Sequence, residues 1–136
     1  MLKQLMTATT LLLAANVSSA AKPSKVSIEL SQYRQIQCHG PLISADTVQP
    51  GDCIVYRLNV VNNSMRAIQN VRITSLIPHA TRLKQPLINL ATGQAISIAI
   101  TPEDSGAKSL SATLLTLSAG EQNPVTLEYS VRVLTK

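Results

Sequence analysis

Aromatic residues are nearly absent from this 136-residue chain, which has no Trp, no Phe and three Tyr (Tyr33, Tyr56 and Tyr129). A core must then be built from Ile, Leu and Val. The stacking platforms used for sugars and single-stranded nucleic acid are also missing. Only two Cys and two His are present, too few for a zinc-finger array and little material for a metal or nucleophile site. Charged residues make up 14% of the chain and apolar residues 45%, so a packed core is expected rather than disorder. The length fits one domain and excludes a large enzyme. No apolar run beyond the N-terminus is long enough to span a bilayer, which excludes a multi-pass membrane protein.

Lys and Arg outnumber Asp and Glu by 12 to 7, a net charge of +5. The basic residues are scattered: Arg34, Arg57, Arg66, Arg72, Arg82 and Arg132 form no run. Solvated positions on strand faces are expected, and no nucleic-acid partner.

What is present begins with an address. Residues 1–20 carry one charge, Lys3, then an apolar stretch from Leu5 to Val17, then small residues. That is the n-region, h-region and small-x-small site of a signal peptide, cut after Ala20 or after Ala21. The stretch is too short for a transmembrane anchor, and Thr7, Thr9 and Thr10 dilute it. Removing it leaves a net charge of +4 and no membrane insertion. Residues 21–25 read as a flexible lead-in and 26–136 as the folded domain. The periplasm is the first expectation, with the cell surface or secretion as the others.

From there the hydrophobic period is two. Val26, Ile28 and Leu30 alternate with Ser27, Glu29 and Ser31; Ile54, Tyr56, Leu58 and Val60 alternate with Val55, Arg57, Asn59 and Val61. Val71, Ile73 and Ile77 follow, with Ser75 as a polar intruder, then Ile96, Ile98 and Ile100, and finally Val125 through Val133. Each stretch reads as a strand with one core face. Gln49-Pro50-Gly51-Asp52 has the residues of a type II turn. Asn62-Asn63-Ser64, Pro78, Asp104-Ser105-Gly106 and Ala119-Gly120-Glu121 mark other breaks, and Asn123-Pro124 opens the last strand. Only Leu87–Thr92 has any helical character. The pattern predicts an all-β, immunoglobulin-like antiparallel β-sandwich of about seven strands, with a small barrel as the other option.

One stretch carries more than periodicity. Thr47-Val48-Gln49-Pro50-Gly51-Asp52 leads into Ile54-Val55-Tyr56-Arg57-Leu58-Asn59-Val60 and Asn62-Asn63-Ser64, and continues through Asn70-Val71-Arg72-Ile73 to Ile77-Pro78. This resembles the bacterial conserved-repeat surface domain known as domain of unknown function eleven. The likeness covers about residues 46–135, and Leu117-Ser118-Ala119-Gly120 with the strand after it looks like that family's closing segment. It implies an exported immunoglobulin-like sandwich of the cell envelope with no general catalytic role, so no catalytic residue carries over. The chain departs from the family as a single copy without a sorting signal, and it places Cys53 directly after Pro50-Gly51-Asp52.

Cys38 and Cys53 are expected to form one disulfide in an oxidising compartment, because a redox pair would want Cys-x-x-Cys spacing and a helix N-terminus. The rival is a periplasmic metal-binding or redox protein using Cys38, Cys53, His39 and His79. Neither zinc nor type-1 copper spacing is met, and His39 and His79 read as surface turns. Ser105 lacks a nucleophile elbow, and Glu103-Asp104 lacks the further oxygen ligands of a calcium loop. The expectation is no catalytic residue, no metal and no cofactor. The protein should be a non-enzymatic envelope module that acts by protein–protein contact or as a structural component. A subunit or assembly helper of a surface fibre is a third reading.

Overall fold

Alternating β-branched and polar residues fold as their period demands. The protein is described here from a computed structural model over residues 25–135; the expected signal segment, its expected cleavage after Ala20 or Ala21 and the lead-in positions 21–24 lie outside the described residues. Eight strands form: β1 (Val26–Gln35), β2 (Ile43–Ser44), β3 (Cys53–Asn62), β4 (Ile68–Ile77), β5 (Thr81–Asn89), β6 (Ile98–Pro102), β7 (Lys108–Leu117) and β8 (Gly120–Val133). They make two antiparallel sheets, one of order β2-β1-β3-β8-β5 and one of order β4-β7-β6. The molecule is the expected all-β sandwich, with eight strands where about seven were anticipated.

The core lies between the sheets. Tyr56, Leu58 and Val60 of β3 and Leu127, Tyr129 and Val131 of β8 meet Val71, Ile73 and Ile77 of β4 and Leu110, Ala112, Leu114 and Leu117 of β7. Leu87 of β5 closes one side. Each fully buried aliphatic side chain contributes roughly 1.5–3 kcal/mol relative to its exposed state.

Three departures from the sequence reading have local causes. Leu87–Thr92 is no helix: Leu87 to Asn89 finish β5, and Leu87 is wholly buried. β5 and β7 escape a search for alternation because both are irregular. Pro86 sits where the β5–β8 register shifts between Gln85 and Ile88. In β7 the inward positions run Leu110, Ala112, Leu114 and then Leu117. On β4 the matching slip falls between Ile68 and Val71, where Asn70 takes a left-handed φ of 56°. The pairs Ile68↔Leu117 and Val71↔Leu114 keep one register across it, because both strands slip together. Finally, β8 begins at Gly120 rather than after Pro124, and residues 121–124 bulge between the pairs Asn62↔Gly120 and Val60↔Val125. Pro124 therefore sits where it breaks no ladder bond with β3.

The segment before β6 changes sheets. The Ile96 N–H donates to the Leu87 carbonyl of β5 at 2.8 Å, whereas Ile98 pairs with Ala112 of β7. Ile96, expected as the first residue of a strand in one sheet, instead joins the two.

Candidate functional site

Polar chemistry concentrates where β1 ends and β3 begins. The Pro50-Gly51 turn forms as expected: Gly51 has φ +95°, and the Asp52 N–H donates to the Gln49 carbonyl at 3.0 Å. The positive φ is what calls for glycine here; a Cβ at Gly51 would also press on the movable amide end of the Gln37 side chain at 2.8 Å. The turn presents Asp52, 1% exposed, to four donors. One carboxylate oxygen accepts from the Gln37 backbone N–H at 3.0 Å and from its amide at 3.5 Å. The other accepts from the Gln49 N–H at 3.0 Å and from Arg34 Nε at 2.7 Å. The backbone bonds from Gln37 and Gln49, with Arg34 behind them, hold the Asp52 carboxyl below its ordinary pKa of 3.8 against the opposing effect of burial.

Immediately beside this hub, Cys38 and Cys53 are joined in a disulfide with Cα atoms 4.7 Å apart. The bond pins the turn Ile36–Cys38, in which Gln37 and Cys38 both adopt positive φ. Both expected sulfurs are thus brought together, while the two histidines are not. His39 is exposed beyond this turn, and His79 is exposed at the end of β4, packed against Gly106. With both thiols used by the bond, the Cys38, Cys53, His39 and His79 set has no free sulfur ligand. Among the described residues no group of three or more His, Cys, Asp and Glu is placed to hold a metal ion.

The buried Tyr129 and Asn62 are also internally bonded. Ser75, the intruder in β4, lies 2.6 Å from the hydroxyl of Tyr129, which donates in turn to the Leu76 carbonyl at 2.7 Å. Tyr129 stacks on Tyr56 with ring centroids 4.9 Å apart. Burial pushes the Tyr56 phenol up to about 12 and raises Tyr129 as well. Asn62 donates to the carbonyls of Arg66 and Leu117 and accepts from Ser64, tying the end of β3 to the other sheet.

Two arginines expected at solvated positions also carry partners. Arg34 binds Asp52, and Arg57 binds Glu128 at 2.8 Å while lying 5.4 Å over the Tyr33 ring. Sequence reasoning missed Asp52 and Arg34 as partners. The available signal was an acid placed directly after a Pro-Gly turn, where its carboxylate can accept the N–H three residues back.

Two surface features among the described residues bear on binding. One is a shallow cleft of about 870 Å³ where the chain before β6 leaves β7, lined by Ile96, Ile98, Thr113 and Leu115 with Arg72 and Asn89. The other is the edge of β1 at Ile28 and Leu30. The Asn63 N–H donates to the Lys25 carbonyl at 2.7 Å, which fixes the phase of the β1–β3 ladder. In an antiparallel pair the backbone groups of successive residues point to opposite sides, so Ser27, Glu29 and Ser31 bond to β3. Ile28 and Leu30 turn their N–H and C=O away from it. On that side β2 pairs only with Tyr33 and Arg34.

The side chains of Ile28 and Leu30 lie opposite Val60 and Leu58, on the core face as the period predicted. They are nevertheless 43% and 48% exposed, whereas Val60 and Leu58 are buried. The five-stranded sheet overhangs the three-stranded one, and these two residues sit on the overhang.

No family model, curated protein or solved structure matches the chain. No helix among the described residues is long and apolar enough to cross a membrane.

Proposed function

We propose that this protein is an exported, non-enzymatic module of the cell envelope, placed first in the periplasm, that works by protein–protein contact. The observation that carries this reading is the overhanging edge of β1, where Ile28 and Leu30 expose apolar side chains beside backbone groups that no described strand engages. An edge of this kind is a template for another chain. The disulfide supports an oxidising compartment, and the signal-like segment at 1–20 supports export. The resemblance to the conserved-repeat surface domain, strongest from Pro50 to Asn70, belongs to the same proposal. Cross-linking in intact envelopes followed by mass spectrometry is the test. A recurrent protein partner with cross-links to β1 is expected; recovery of random neighbours alone would remove the docking reading.

A further inference from the structure

We infer that the open edge of β1 receives one antiparallel strand from a different protein, and that this strand carries an apolar–basic–apolar triplet with its Lys or Arg facing Glu29. The inference rests on the docking reading above and adds to it the chemistry of the partner.

Every pairing in the sheet is antiparallel, and an added strand would meet Ile28 and Leu30 as hydrogen-bonded pairs because those residues aim their N–H and C=O outward. Side chains of directly opposed residues share a face. The two partner residues opposite Ile28 and Leu30 therefore project over the overhang, where apolar groups bury the exposed Ile28 and Leu30. The residue between them projects to the outer face opposite Glu29, at a non-hydrogen-bonded position where side chains approach most closely. Glu29 is exposed, and neither ion pair among the described residues uses it. Nearby Arg57 is taken by Glu128. A cation on the incoming strand completes the site.

Charge also argues against the most apolar pairing of this edge with a second copy of this chain. The two-fold register that sets Ile28 of each copy against Leu30 of the other places the two Glu29 carboxylates face to face, which is destabilising.

The test uses the protein purified after export and two acetylated nonapeptides of alternating Thr and Val, one with Lys and one with Glu at the centre. The Lys peptide is expected to shift the backbone amide resonances of Ile28 and Leu30 and to bind up to about fivefold more tightly than the Glu peptide, the range of a cross-strand ion pair. Glu29→Lys should reverse that order. Leu30→Pro should abolish binding while leaving the circular-dichroism spectrum unchanged, since the lost N–H faces away from β3 and proline is tolerated on such an edge. Should Leu30→Pro unfold, the Glu29→Lys reversal decides alone.

Equal affinity for the two peptides, no binding of either, or shifts confined to the cleft beside β7 would each overturn the inference. A concentration-dependent dimer lost in Leu30→Pro would also overturn it and assign the edge to a second copy. An envelope partner that cross-links elsewhere on the surface would leave a docking module standing and remove only this edge.

Discussion

The two halves of β1 share one neighbour, β3, yet are held in opposite ways. From Tyr33 onward the strand is stitched: β2 flanks it, Arg34 reaches Asp52, and the turn beyond is bonded to Asp52 and closed by Cys38–Cys53. Over Ile28 and Leu30 the described strands give it β3 alone, and both side chains stay exposed. The halves differ in pattern, since Val26–Ser31 alternates and Gln32–Gln35 holds only Tyr33 as an apolar residue, and they differ in company. A period of two decides which face a side chain takes, and the extent of the other sheet decides whether that face is covered.

Paired substitutions can break this contrast. Leu58 and Leu30 are cross-strand partners on one face, 2% and 48% exposed. Leu58→Ala should cost about 2–5 kcal/mol in urea unfolding, as buried leucines do. Replacing Cys38 and Cys53 together by Ala should cost about 3 kcal/mol in the chain-entropy view of a loop this size. A loss well under half of that would mean the Asp52 hub holds the stitched end without the disulfide.

Asp52 gives a pH signature of definite sign. Its folded pKa lies below the ordinary 3.8, so its contribution is fully present above that value and is lost as the pH falls below it through the folded pKa. Thermal midpoints of the wild type should drop over that acid window. Asp52→Asn should be less stable at neutral pH and flatter in acid; parallel curves would count against the hub. The smallest effect belongs to the open half: Leu30→Ala should cost under about 1 kcal/mol. A cost equal to that of Leu58→Ala would mean the overhang is covered in solution.

Much of this was legible in the residues. The alternation at Ile54–Val61 and Val125–Val133 yields the two central strands, and Pro50-Gly51 yields its turn. Cys38 and Cys53 could be paired because the sequence has no other cysteine and lacks the spacing of a redox pair. The exposure of Ile28 and Leu30 could not be read, because it depends on where a distant three-stranded sheet stops. β7 was hidden by Leu114-Leu115, which interrupts the alternation. Asp52 looked like a turn residue because its donors Arg34 and Gln37 lie fifteen or more positions away. Ser75 looked like a flaw in β4 until Tyr129 supplied its partner.

The matched slip at Asn70 and Leu115 has a consequence for how this fold tolerates gain and loss of single codons. Removing Asn70 alone would offset every later rung of β4 against β7 by one position, turning inward groups outward. Removing Leu115 as well would straighten both strands and restore the pairing. The double deletion should melt cooperatively by circular dichroism where either single one does not, which makes the two positions a coupled pair under insertion and deletion although neither side chain is buried.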